Sequence, residues 1–159
     1  MSDEQATTGT EQANPQFSMI SQYVKDLSFE NPRAPESLQK MQGNNPDIKI
    51  SVNINARKIG EEGYEVALML SATAKVDKET MFIAELNYGA LFGIRNVAED
   101  QLKPLLLVEC PRLMFPFARR IFADAVRDGG FPPVMLDPID FLALYQQQKD
   151  GAGDGVLPN

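Results

Sequence analysis

The side chains with which this chain could do chemistry are carboxylates, amines and one thiol, because its 159 residues include no histidine and a single cysteine, Cys110. Without imidazole the commonest general base near neutral pH is missing, and any Ser-His or Cys-His nucleophile within one chain is excluded. A lone thiolate makes a poor structural zinc site and allows no internal disulfide. The adjacent acids Glu61-Glu62 and Glu99-Asp100 fall at expected loop or helix starts, where solvation or the positive helix end accounts for them. Cys110 stands beside an apolar helix and reads as a small buried hydrophobe. No phosphate-cradling glycine loop, dinucleotide fingerprint or histidine metal motif occurs. The expectation is a protein that is not an enzyme and needs no cofactor or metal.

What the chain carries instead is surplus apolar surface beside irregular connections. Leu38 and Met41 lie in a connection, residues 31–47, that is punctuated by Pro32, Pro35, Gly43 and Pro46. Phe131, Met135, Ile139, Phe141, Leu142 and Tyr145 outnumber what a short terminal helix needs for packing. Two readings stand side by side. These side chains are ordinary core, or they form a groove for extended peptide, where methionine and aromatic contacts adapt to many sequences. A net charge of -7 argues against nucleic acid and favours neutral or basic partners. Residues 1–16 are polar and acidic, unlike a signal peptide, and no run reaches the roughly 18 to 20 apolar residues of a membrane span. A soluble, intracellular protein without membrane insertion is expected.

The length suits one domain, expected over residues 17–148, with a disordered acidic tail before it and a Gly-rich tail, residues 149–159, after it. In residues 17–30 a helical spacing (Ile20, Tyr23, Val24, Leu27) competes with the alternation of Tyr23, Leu27 and Phe29 against Asp26, Ser28 and Glu30. The β-branched and aromatic content favours a strand, which puts Asp26 and Glu30 together on a face outside the core. Ile48, Ile50, Val52, Ile54 and Ala56 alternate strictly with polar neighbours, the clearest half-buried strand in the chain. A hairpin loop at residues 58–63 and an alternating run at 64–75 follow. A last strand over 80–92 is apolar on both faces, with Phe82, Ala84, Leu86 and Tyr88 on one side and Met81 and Ile83 on the other. Helices cover one face of a sheet only, so the second apolar face predicts oligomerisation through the sheet.

A short helical segment is expected over 97–108, disturbed by Pro104. The strongest helical pattern follows: Leu113, Met114, Phe117, Ala118, Ile121, Phe122, Ala125 and Val126 form one broad apolar stripe. Pro111 and Pro116 leave two starts open, one near Pro116 and one earlier with a kink. Gly129 and Gly130 supply left-handed freedom for the stop, and Pro132 and Pro133 forbid continuation. A short helix from Pro138, capped by Asp137, closes the pattern.

The run FPFARRIFADAVRDGGFPPVMLDPIDF resembles the C-terminal half of the SecB family of protein-export chaperones, and YVKDLSFENPRAP resembles that family's N-terminal signature. With the similarity through residues 79–92, the resemblance spans residues 17–146. It implies an α+β fold, a four-stranded antiparallel sheet with helices packed on one face, assembling as a dimer of dimers. It implies an ATP-independent, bacterial cytoplasmic chaperone that holds unfolded precursor proteins in apolar grooves and delivers them to the SecA motor. By the same likeness Asp26, Glu30, Ile83 and Glu85 match motor-contact positions, and Ala84, Leu86 and Tyr88 match strand positions near a subunit interface. Phe29, Leu38, Met41, Met135, Phe141 and Leu144 are expected in the groove. The chain departs from the family in having no Trp in the long connection, and its last eleven residues show no motor-binding pattern. From the residues alone, a small-ligand-binding or hydrolytic α+β domain with a closed pocket is the alternative.

Overall fold

The computed structural model describes residues 14–149. Four antiparallel strands, β1 (Gln16–Glu30), β2 (Asp47–Ile59), β3 (Gly63–Val76) and β4 (Glu79–Arg95), form one sheet in the order β1-β4-β3-β2. The tail expectations, residues 1–16 and 149–159, lie largely outside the described residues; within them Gln16 already opens β1 and Lys149 ends α4. The alternation read from residues 48–56 is realised: Ile48, Ile50, Val52, Ile54 and Ala56 face the helices, and Lys49, Ser51, Asn53, Asn55 and Arg57 face outward. β3 and β4 join through a two-residue turn in which Asp77 and Lys78 both take left-handed φ, +50° and +67°, the twist a tight hairpin requires.

Two strands depart from strict alternation, and the departures decide what each face carries. On β4 the register with β3 slips beside Met81, so Met81 and Phe82 are both buried in the core. Met81 therefore does not share the outer face with Ile83. What remains outward on the three neighbouring strands mixes Ser51, Asn53, Ser71, Thr73 and Asn87 with charged residues and with the apolar Ala67, Met69, Ile83 and Leu91. The outer face is mixed, so the fully apolar second face from which oligomerisation through the sheet was argued is absent. On β1 an extra residue at Lys25 separates Tyr23 from Leu27 and Phe29, which lie on the opposite face rather than the same one.

The long connection contains a short helix, α1 (Glu36–Met41), which the scattered apolar residues of residues 31–47 did not announce. After β4, α2 (Glu99–Pro104), a π turn (Leu105–Glu109) and α3 (Cys110–Asp128) run as one continuous helix past Pro104, Pro111 and Pro116. Thus the segment at 97–108 is no separate helix, and α3 starts well before Pro116. In the π turn the Cys110 N–H reaches the Leu105 carbonyl, and Pro111, which has no N–H to place, follows directly. The widened turn gives room where a regular turn would meet the proline ring.

The broad apolar stripe of α3 is two stripes. Met114, Ala118, Phe122 and Val126 are buried against β3 and β4, while Leu113 and Phe117, one position earlier, remain 47% and 44% exposed. The helix ends in a Schellman motif: Phe131 N–H bonds to Val126 O at 3.3 Å and Gly130 N–H to Arg127 O at 3.0 Å, with Gly130 at φ +95°. Gly129 is not left-handed. Its hydrogen is needed because a Cβ there would overlap the Phe29 ring. Residues 131–140 then run without regular structure to α4 (Phe141–Lys149), whose cap is Asp140, not Asp137: Asp140 Oδ1 accepts the Ala143 N–H at 3.0 Å.

Candidate functional site

Two surfaces on opposite sides of the sheet gather the residues singled out from the sequence. On the outer side the register brings Asp26, Glu30, Ile83 and Glu85 together across β1 and β4. Glu30 lies opposite Ile83, Ser28 opposite Glu85, and Asp26 opposite Asn87. All three carboxylates are exposed and Ile83 is half-buried. Asp26 and Glu85 also line one shallow depression of about 260 Å³ with Ser51, Asn53, Met69 and Ser71. It offers oxygen acceptors and negative charge around a small apolar floor, so a basic or hydrogen-bond-donating partner fits it best.

Beside this acidic surface lies a group that the sequence did not single out. Glu65 of β3 has a side chain only 8% exposed although it faces outward. It accepts hydrogen bonds from Tyr23 Oη at 2.5 Å, Lys25 Nζ at 2.8 Å and Arg57 Nε at 3.0 Å. The Lys25 and Tyr23 bonds hold its carboxyl down at about 2 against the desolvation that opposes them. Burial and the same carboxylate push the Tyr23 hydroxyl up to about 12. Nothing in the local sequence separates Glu65 from Glu61 and Glu62, because two of its partners are 40 and 42 residues away.

On the helix side the six expected groove residues do not meet in one place. Phe29 and Leu38 come together at the end of α3, Phe29 against Gly129 and Leu38 against Gly130. Phe29 also stacks on Phe82 at 5.7 Å and tilts against Phe131 at 6.2 Å, so much of its ring serves the core. Met41 is partly buried against the same core. Phe141 and Leu144 are 1% and 4% exposed; Phe141 packs edge-on against Phe115 at 6.0 Å. From Phe115 to Gly129, α3 rises roughly 20 Å, so these two side chains form a separate cluster. Being buried, they underlie a surface and do not line one, which corrects their place in the groove. Met135, 62% exposed, lies on the irregular segment that joins the two clusters.

Apolar lining missed from the sequence occurs along the continuous helix. A depression of about 350 Å³ between β2 and the helix is lined by Ile54, Ala56, Leu102, Leu106 and Leu107. Another of about 410 Å³ is lined by Pro104, Leu105, Val108 and Leu142, with Glu109 and Arg112 at its rim. The leucine spacing at 102–107 was visible, but which flank of the helix it served was not.

Ala84, Leu86 and Tyr88 are 0%, 2% and 5% exposed beneath the chain's own helices. Their side chains are covered within the single chain and offer little surface of their own to a second subunit. The uncovered apolar side chains lie elsewhere: Val24 and Leu27 on the helix side of β1, and Leu113 and Phe117 on α3. Cys110 is fully buried, and that burial, with the Glu109 charge adding to it, pushes the thiol up to about 12. Among the described residues no group of three or more Cys, Asp or Glu is placed to hold a metal ion, and no helix is long and apolar enough to cross a membrane.

Comparison with known proteins gives one answer. The family model described as preprotein translocase subunit SecB matches residues 10–152. A protein-export protein SecB from Azorhizobium caulinodans is 52% identical over 139 residues, covering 87% of this chain and 86% of that one. One from Rhodopseudomonas palustris is 50% identical over 152 residues, 96% of each chain. Among solved structures, the Mycobacterium tuberculosis Rv1957 SecB-like chaperone, in complex with a ChAD peptide from the Rv1956 HigA1 antitoxin, shares the fold. Its TM-score is 0.65 at 12% identity, over 77% of this chain and 90% of that one.

Proposed function

The chain belongs to the SecB family of protein-export chaperones, which are not enzymes, and from that premise we propose how its two surfaces divide the work. The helix side holds unfolded precursor proteins through apolar contacts, without nucleotide. The outer sheet face, with Asp26, Glu30, Ile83 and Glu85, meets the SecA motor. Four chains, paired as two dimers, act together in the bacterial cytoplasm.

The observation that carries this reading is the separation of the surfaces. Exposed apolar side chains such as Leu38, Met135 and Leu142 belong to the helix layer, whereas the three carboxylates lie on the far side of the sheet. A holding protein that hands over its client must be occupied by client and motor at once, and two faces of one sheet allow that without competition. Client segments bind weakly one by one, and several sites in one particle convert weak contacts into avidity. Capture is then kinetic: fast-folding proteins escape and slow ones are held. The open depressions along the α2 helix and the π turn add apolar surface of the kind an extended peptide covers.

Refolding of a slow-folding precursor, begun by dilution, tests the holding function. Arrest near one four-chain particle per client, without ATP, is expected. Unchanged refolding of several clients at a several-fold excess of the protein would overturn it. The charge reversal of Asp26 and Glu30 to Lys tests the division of labour: motor binding is lost and client arrest is kept. Loss of both together would mean that the surfaces are not separate.

A further inference from the structure

The extra residue in β1 determines which way the acidic side chains point. Val24 lies opposite Tyr88 and Asp26 opposite Asn87, adjacent positions on β4, so Lys25 has no partner of its own. Through this one insertion Tyr23 and Asp26, three residues apart, both face outward, followed in alternation by Ser28 and Glu30. Had the extra residue slipped past Asp26 toward the C-terminal end of the strand, the alternation between the old and new positions would reverse, and Asp26 would turn inward.

Glu65 grips β1 at that point and two residues before it. Tyr23 precedes the unpaired position, Lys25 is the unpaired residue, and both reach across β4 to the same carboxylate on β3. Their path crosses Gly89, where a Cβ would come within 2.6 Å of the Tyr23 ring and 3.1 Å of Lys25 Cδ. The other irregularity in β1 is built in a related way. Ile20, its extra residue, lies over Gly93, where a Cβ would approach the Ile20 side chain at 3.3 Å. Only at Lys25 does a charged partner two strands away secure the arrangement.

We propose that Glu65 is a positioning residue for the motor-facing surface: by holding Tyr23 and Lys25 across Gly89, it fixes the extra residue of β1 at Lys25 and so keeps Asp26 on the face of Glu30 and Glu85. The inference rests on the reading of that face as the motor contact. Glu65 is too buried to touch a partner itself, so its effect passes through Asp26.

The test uses the full chain and the motor ATPase at fixed salt, with Glu65→Gln and, as a milder variant, Lys25→Met, which leaves Tyr23 and Arg57 on Glu65. Each is expected to weaken motor affinity about fivefold, the scale of coupling between neighbouring groups, with client arrest unchanged. In an Asp26→Ala background neither should weaken it further. Amide exchange at residues 24–27 should quicken in both variants while the rest of β1 is unchanged. Unaltered motor affinity, or the same loss in the Asp26→Ala background, overturns the proposal. If Asp26→Ala and the Asp26/Glu30 reversal leave motor binding intact, the motor-face reading fails instead. Amide exchange then decides whether Glu65 fixes the extra residue, and unchanged exchange in both variants refutes it.

Discussion

Glu65 shows what a single side chain can impose on a sheet. Its carboxyl sits at about 2 instead of the usual 4.5 because three donors converge on it. A depressed carboxyl pKa stabilises the folded chain at pH values above the unfolded value, and that contribution fades as pH falls from about 4.5 to about 2. Replacing Glu65 by Gln should therefore lower stability at neutral pH and flatten the acid limb within that window, as measured by denaturant unfolding at a series of pH values. A parallel downward shift at every pH would show that the carboxylate is not the group being titrated. Gly129 makes a second residue-level case. Its backbone is ordinary, so Gly129→Ala carries no conformational penalty. Overlap with the Phe29 ring should still cost about 1 to 3 kcal/mol. Phe29→Ala in the same chain should remove most of that added cost, and simple additivity in thermal unfolding would refute the account. Neither effect was legible in the sequence, where Glu65 was one acid among many and Gly129 was read as a helix stop.

Elements were legible where one periodicity governs a whole segment. Strict alternation placed β2, and the three- and four-residue spacing of residues 113–126 placed α3. The sequence misled wherever one extra residue changes the phase. Met81 belongs to the core, and Tyr23 parts from Leu27, because register slips are settled by the neighbouring strand and leave no local mark. Prolines misled in the opposite direction. Pro104 and Pro116 read as disturbances and Pro111 as a candidate start, yet the helix runs past all three; at Pro111 the π turn lets it pass, since a missing N–H costs little where the hydrogen-bond ladder is already shifted. The buried stripe supplies the compensating energy. Phe122, fully buried at its centre, should lose about 3 to 5 kcal/mol on replacement by Ala, whereas Phe117→Ala, one face away, should cost well under half as much in the isolated chain. Equal losses at the two positions in chemical denaturation, with the chain kept monomeric by dilution, would contradict the two-stripe description of α3.

At the scale of the whole molecule, the uncovered apolar surface and the proposed four-chain assembly pose one question. The sequence argued for association from the two faces of β4, but the structure turns Met81 into the core, sets Glu85 and Asn87 beside Ile83 on the outer face, and buries Ala84, Leu86 and Tyr88. Leu113 and Phe117 remain, on the side of α3 turned from the sheet, with Val24 and Leu27 on the helix side of β1. Exposed apolar side chains on a long helix, with no further element of the described chain to cover them, are what a subunit contact needs. Leu113→Asp with Phe117→Asp should therefore release smaller species in sedimentation equilibrium while the monomer loses about 1 to 2 kcal/mol, less than Phe122→Ala alone. The functional consequence separates two contributions to holding. A short peptide that fills one site should bind the double variant as before, because its contacts lie within one chain. A long unfolded client, whose retention depends on several sites held together, should lose on the order of a hundredfold in effective affinity. If the double variant dissociates and still arrests refolding at the original stoichiometry, holding does not depend on linked sites, and the assembly serves some other purpose. If short-peptide binding falls with the assembly, α3 itself forms part of the client surface.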